Sequence, residues 1–323
     1  MENYSIIKFI SQGSFGKVYL ISSKKTNQKL IMKRIKLINL HHYDKENIFN
    51  EIKLSLFHDC PYLLKTNDVF LKENNICLVS KYYEKNTLEN IIYHSKLSPD
   101  KILYYFSQLL LAVNYLHQYN IIHRDIKTSN IFIDKDDHLV LGDFGISKIL
   151  PQYKILTGTQ VGTPYYLSPE LAKGVKYSNS SDIWSLGVVL YEMIYQKKPF
   201  KSHNMVGLLH KIKYENVLFP PNYRYQNLIN LCTKLLNKKE IERPSTKIIL
   251  TQNEIYDTIS KNNFKQSLFQ KDVENKLHLC HYNKLINFEH NFNKIKANFF
   301  SEENIKNIST QTNISIPFYK SYI

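Results

Sequence analysis

Cysteine is sparse in this chain, and the four present, Cys60, Cys77, Cys232 and Cys280, lie far apart with no CxxC pair. That spacing indicates neither a zinc site nor a disulfide framework, and it sets the expectation of a reducing compartment. Long apolar runs are missing as well: stretches such as Ile183 to Leu190 stop well short of the roughly 20 residues that span a bilayer. The opening MENYSIIKFI has no signal-peptide layout, Glu2 stands where myristoylation needs glycine, and no CaaX ending is present. No membrane partner is expected. Acidic residues are in deficit, 28 against 43 Lys and Arg, which gives a formal net charge of +15 and a pI near 9.3. Such an excess favours acidic partners, nucleic acid among them. The lysines are scattered rather than clustered, however, and glycine is scarce while Asn, Lys, Ile and Tyr, all with AT-rich codons, are heavily used. Base composition is the duller cause, and nucleic acid is not the expected partner. A hydrophobic content of 43% over 323 residues is ordinary for a globular protein with a substantial core and argues against wholesale disorder.

What is present concentrates between Ile121 and Gly145, IIHRDIKTSNIFIDKDDHLVLGDFG. The apolar runs from Ile131 to Ile133 and from Leu139 to Leu141 read as two short strands turned by the polar stretch from Asp134 to His138. Such a hairpin leaves Asn130 just before one strand and Asp143 just after the other. Oxygen ligands at neighbouring strand ends suit a hard divalent cation, and so a magnesium nucleotide.

The pair HRDIKTSN and DFG resembles the catalytic loop and metal-binding motif of the protein kinases. Lys127, two residues after Asp125, places the resemblance in the serine/threonine branch. It implies an α+β, bilobal protein-kinase fold, with a small β-rich N-lobe carrying one main helix and a larger, mostly helical C-lobe. By the family's roles, Asp125 accepts the substrate hydroxyl's proton and Lys127 steadies the transferring phosphate. Asn130 and Asp143 hold Mg2+, or Mn2+, and Phe144 packs to set the active state. ATP is the implied donor, and proteins bearing Ser or Thr are the implied acceptors.

Toward the N-terminus, Ile10-Ser11-Gln12-Gly13-Ser14-Phe15-Gly16-Lys17-Val18 lies between two apolar alternations that read as strands. Taken alone it is no more than a hairpin turn. It meets the family's GxGxxGxV pattern at Gly13, Gly16 and Val18, with Ser11 in place of the first glycine. Leu30-Ile31-Met32-Lys33 stands where the family's phosphate-binding lysine falls, and period-2 alternation puts Ile31 and Lys33 on one strand face. Ile48, Ile52 and Leu56 recur at helical spacing. Glu51 in that helix is the implied ion-pair partner of Lys33, and Glu46, near the helix start, is its competitor. The stretch ICLVSKYY, from Ile76 to Tyr83, reads as a buried strand running into a hinge. Aligned on the family, Ser80 is the gatekeeper and Lys81, Tyr82 and Tyr83 form the hinge, whose backbone bonds adenine. Phe132 completes the implied nucleotide-binding set.

Ser98 to Tyr119 begins with a Ser-Pro-Asp helix start and continues with apolar residues at helical spacing, a long helix beneath the catalytic loop. After DFG no strong period is found until GTPYYLSPE, which is similar to the end of an activation segment. Ser181 to Gly187, SDIWSLG, matches the family's DxWxxG helix start, and Arg243 matches the late arginine that pairs with the glutamate of that segment, here Glu170. Together HRDIKTSNIF, LGDFGIS, GTPYYLSPE and NSSDIWSLGVVLYEM resemble the NIMA-related kinases, although other serine/threonine subfamilies share parts of the set. That resemblance implies a role in cell-cycle or microtubule regulation and a cytoplasmic location that extends to nucleus or microtubules. Leu167 stands where proline-directed kinases have arginine, and Thr87 where basophilic ones place an acid, so neither preference is expected. Arg124 and Lys148 are read as a basic pocket for a phosphate on Thr159, an activating position of NIMA-related kinases. Thr163 is read as structural, bonding Asp125 and Lys127.

These matches run in the family's order and set a kinase domain over residues 4–254, with an N-lobe of about 4–83 and a C-lobe of about 84–254. Residues 255–323 form a tail in which Leu285, Phe288, Phe292, Ile295 and Phe299 mark an amphipathic helix over about 273–299. It docks on the kinase, binds a regulatory partner or self-associates. A pseudokinase scaffold is the alternative reading, disfavoured because Lys33, Glu51, Asp125, Asn130 and Asp143 are all present. A nucleic-acid-binding tail is a third, which salt-dependent DNA binding would reveal.

Overall fold

Of the described residues up to Lys81, most of those in 4–36 and 66–81 form one sheet, whereas Ile52, Ser55 and Leu56 are helical. The computed structural model describes residues 3–13, 16–36, 52, 55–56, 58, 60–72, 75–84, 87–142 and 164–264. Strands β1 (Tyr4–Gly13), β2 (Gly16–Ser23), β3 (Lys29–Lys36), β4 (Thr66–Lys72) and β5 (Asn75–Lys81) pair in the order β1-β2-β3-β5-β4, each neighbour antiparallel. One face buries Ile21, Leu30, Met32, Cys77 and Val79 beneath Tyr4, Tyr19 and Phe70. On the opposite face the register aligns Val18, Lys33 and Leu78 in one cross-strand row and Leu20, Ile31 and Ser80 in the next. Directly opposed residues of antiparallel strands share a face, so Ile31, Lys33 and Ser80 look the same way.

The rest is mostly helical: α1 (Leu88–His94), α2 (Pro99–Gln118), α3 (Pro169–Ala172), α4 (Asn179–Tyr195), α5 (Met205–Tyr214), α6 (Gln226–Leu235), α7 (Thr246–Leu250) and α8 (Asn253–Lys261). The expected Ser-Pro-Asp start is seen at α2, where the Ser98 side chain accepts the Lys101 amide at 3.2 Å and Pro99 takes the first turn. Helix α4 is buried from Ser181 to Ile194, including its polar residues, and forms the centre against α2 and α6. Its Trp184 is fully buried and stacks on Phe200. Strands β6 (Ile131–Ile133) and β7 (Leu139–Leu141) make the expected hairpin, antiparallel with Ile131 opposite Leu141. Helix α8 packs on α2, and Phe264 places its ring 5.9 Å from that of Tyr62 and 5.2 Å from that of Tyr104. Packing therefore continues past residue 254 to Phe264; the expected tail helix over 273–299 lies outside the described residues. Cys60, Cys77 and Cys232 are buried free thiols. No described helix is long and apolar enough to cross a membrane.

Candidate active site

The loop of residues 123–130, between α2 and β6, is held from beneath by one carboxylate. Asp182, in the first turn of α4, is wholly buried. Its Oδ2 accepts the His123 amide at 2.9 Å, its Oδ1 accepts the Arg124 amide at 3.1 Å, and His117 Nε2 lies 2.9 Å from Oδ2. These bonds fix a backbone that would otherwise relax, because Arg124 sits at φ 68°, a left-handed conformation that costs an L-residue about 1–2 kcal/mol. His123 Nδ1 accepts the Asp125 amide at 3.3 Å, which leaves the ring proton on Nε2, 3.1 Å from the Gly142 carbonyl. The buried imidazole thus ties the loop to the residue just before Asp143.

Above this base three polar groups meet. Lys127 Nζ donates to Asp125 Oδ2 at 2.9 Å. Asn130 Nδ2 donates to the same oxygen at 2.8 Å and to the Asp125 carbonyl at 2.9 Å. Asn130 ends a single 3-10 turn, Thr128–Asn130, and its own carbonyl accepts the Gly142 amide at 2.9 Å, so the two ends of the β6–β7 hairpin are joined. With its amide nitrogen committed to Asp125, Asn130 has its amide oxygen left as a hard ligand, which fits a divalent cation. The Asp125 carboxylate keeps 18% of its surface exposed, enough to meet a hydroxyl while its orientation is fixed. Gly142 is glycine for a steric reason: a Cβ there would lie 2.5 Å from a ring carbon of Phe132. At Gly16 the obstacle is backbone, since a Cβ would lie 2.0 Å from the Arg34 carbonyl oxygen. That glycine is required by the sheet, whatever phosphate the loop meets.

The nucleotide-binding set is divided. Val18, Ile31, Lys33 and Ser80 share the sheet face described above. Ile10, Ser11 and Gln12 are exposed on β1, Gly13 pairs with Gly16, and Lys17 is exposed opposite Arg34. Of the hinge, Lys81 and Tyr83 line a cavity of about 330 Å³ with Gln28, His58, Cys60 and Val140, and none of Ile10, Val18, Ile31 or Lys33 borders it. Burial pushes the Tyr83 hydroxyl up to about 12. Its ring stacks on Phe132 at 5.3 Å and lies under the Lys81 ammonium at 4.9 Å. Tyr82 is half-buried in the same connection. Ser14, Phe15, Glu51, Asp143, Phe144, Lys148, Thr159 and Thr163 lie outside the described residues. If Ser80 gates a space behind the adenine site, Ser80→Met should weaken inhibitors bearing a bulky aromatic group by about tenfold or more, through lost burial and steric exclusion. Equal inhibition constants for the two proteins would refute the gatekeeper assignment.

Glu170 and Arg243, 73 residues apart, form a two-bond ion pair, with Nη1 to Oε1 and Nη2 to Oε2 both at 2.8 Å. Ser181 Oγ donates to the same carboxylate, and Arg243 also donates to the carbonyls of Asn237 and Ser180. Burial raises the Glu170 pKa, but the guanidinium outweighs it and holds the carboxyl below its ordinary value. A depressed carboxyl contributes stability that is present above the unfolded value and lost as pH falls through the folded one, so this contribution fades only in acid. Arg243→Met leaves the buried carboxylate unpaired and should cost about 3–5 kcal/mol. A lowered urea midpoint at neutral pH checks it.

The SDIW stretch reads in sequence as a helix start, and nothing beside it marks Asp182 as the anchor of the loop. The motif order carried a signal, but the contact spans 59 residues. A network of Thr128, Tyr166, Glu192 and Lys198 beside the loop likewise has no sequence motif.

The family model for the protein kinase domain matches residues 4–254. Serine/threonine-protein kinase Nek1 of Mus musculus is 35% identical over 267 residues, covering 81% of this chain and 22% of that protein. Serine/threonine-protein kinase Nek6 of Oryza sativa subsp. japonica is 32% identical over 249 residues, covering 76% and 46%. Probable serine/threonine-protein kinase nek1 of Dictyostelium discoideum is 32% identical over 326 residues, covering 90% and 67%. The chain thus spans between about a fifth and two thirds of the length of these relatives. With a kinase model over most of its length and Nek proteins as its relatives, the chain belongs to the protein kinase family, in its NIMA-related serine/threonine branch.

Proposed function

We propose that the chain transfers the γ-phosphate of Mg-ATP to serine and threonine hydroxyls of proteins. The observation that carries this is the Asp125 carboxylate, half-enclosed and oriented by Lys127 and Asn130 on a loop whose backbone Asp182 fixes. Mg-ATP, when bound, supplies the phosphoryl group and the cation that neutralises its charge. Asp125 accepts the proton of the incoming hydroxyl. Lys127, 2.9 Å from that carboxylate, would offset the negative charge of the transferring group. Asn130, with Asp143, would hold the cation, and Lys33 on its sheet face would meet the phosphates. The Lys81 side chain lies on the opposite sheet face, across from Leu30, and the hinge backbone would meet adenine. Lys33→Met and Asp143→Ala should abolish turnover while the fold persists; undiminished phosphorylation of a serine peptide by both variants would defeat the assignment.

Regulation belongs to the same proposal. Phosphate on Thr159, carrying about −1.5 to −2 charges, would order the activation segment against Arg124 and Lys148. Active protein should carry that phosphate, and Thr159→Ala should lose activity; full activity with no phosphate on Thr157, Thr159 or Thr163 would exclude the switch. As part of the same proposal, the chain acts in cell-cycle or microtubule regulation, in cytoplasm or nucleus, with the tail as a partner-binding or self-associating segment. Microtubule co-sedimentation of the chain with and without residues 265–323 tests both, and no difference between the two would remove the tail from the account.

A further inference from the structure

Four side chains beside the catalytic loop form a network that the scheme above leaves unused. Glu192, near the C-terminal end of α4, has a side chain only 8% exposed. Its Oε2 accepts Lys198 Nζ at 2.6 Å and Thr128 Oγ1 at 3.4 Å. Lys198, on the turn that follows α4, also donates to Tyr166 Oη at 2.5 Å and lies 4.3 Å from the centre of that ring. Tyr166 Oη in turn accepts the Thr128 backbone N–H at 3.2 Å and lies 2.8 Å from Thr128 Oγ1. Thr128 opens the turn that carries Asn130 to Asp125. A single ammonium therefore bridges two oxygens from different parts of the chain, and both oxygens act on Thr128.

We propose that Lys198 is a positioning residue for phosphoryl transfer, holding Tyr166 and Glu192 so that Tyr166 fixes the Thr128 amide and with it the turn that sets Asn130 against Asp125. The inference rests on the reading of Asp125 as base. Without Lys198 a buried carboxylate faces Tyr166 with no cation between them. Glu192, with which the Tyr166 hydroxyl already interacts, then competes with Thr128 for that hydroxyl and draws it from the Thr128 amide. Burial already raises the Glu192 carboxyl above its ordinary value, with the Lys198 charge opposing the rise, which agrees with a carboxylate that depends on its partner. Burial likewise raises the Tyr166 hydroxyl, so it stays a neutral donor and acceptor.

The test uses the full chain as wild type, Lys198→Met, Lys198→Arg and the double variant Lys198→Met with Glu192→Gln. Two readouts are taken: kcat with KM for ATP on a serine peptide, and hydrogen-exchange protection of the amides of residues 123–130. Lys198→Met should lower kcat by about tenfold or more with KM for ATP within about twofold, the pattern of a lost transition-state arrangement rather than lost nucleotide binding. Exchange of residues 123–130 should speed while α2 keeps its protection, and Lys198→Arg should restore most of both. A merely structural lysine would change protection of α2 and the loop together and leave kcat per folded molecule intact. Lys198→Met with wild-type kcat and wild-type loop protection overturns the proposal. Should that variant fail to fold, the double variant, which removes both charges, decides by the same two readouts. Absence of phosphotransfer by the wild-type chain would defeat the kinase reading alone, since loop protection still decides the role of Lys198.

Discussion

Asp182→Asn should unfold more readily than the wild type by about 1.5–3 kcal/mol and lose most phosphoryl transfer, because one carboxylate accepts two loop amides, the variant can accept only one of them, and a charge-assisted bond contributes about 1.5–3 kcal/mol. Asparagine has one acceptor oxygen where His123, Arg124 and His117 approach two. Its amide group would point N–H at N–H toward one of them. Freed of that bond, Arg124 can leave φ 68°, and the shift passes to Asp125, its neighbour in the chain. Urea unfolding and peptide phosphorylation measure the two effects. A wild-type midpoint with wild-type turnover would mean that the loop is held by something else.

Asp125→Asn should act on chemistry alone. The amide oxygen can still accept Asn130 Nδ2, and the position is partly exposed, so the fold and the loop geometry should persist. What disappears is the proton acceptor, which contributes about 10²–10⁴-fold to general acid–base catalysis. ATP affinity should remain within a few-fold, since neither the Lys33 face nor the hinge is altered. Steady-state kinetics with calorimetric nucleotide titration separates these quantities. A variant that keeps kcat within about threefold would remove Asp125 from the role of base.

Local patterns made some of this legible in advance. The three-residue apolar runs on either side of a polar turn gave the β6–β7 hairpin to the residue, and the Ser-Pro-Asp start placed α2. Alternation along β3 placed Ile31 and Lys33 on one face, and the register added Ser80 to it. Other features had no local trace. The register of β1 shifts between Ile6 and Lys8 and again between Phe9 and Ser11, which breaks the period of two on which a strand-face reading depends. The Glu170–Arg243 pair was legible only through family resemblance, because nothing near either residue announces a partner 73 positions away. Asp182 is harder still: in the sequence it is one acid in the first turn of a helix, and its role needs the catalytic loop folded over it. Lys198 sits in a lysine-rich turn, where one cation looks like the next until Glu192 and Tyr166 are seen beside it.

The most direct measurement is phosphoamino-acid analysis of a peptide library incubated with the purified chain and Mg-ATP labelled in the γ-phosphate, run beside Asp125→Asn. The account predicts label on serine and threonine from the wild-type chain and almost none from the variant. Label confined to tyrosine, or wild-type incorporation no higher than that of Asp125→Asn, would contradict it.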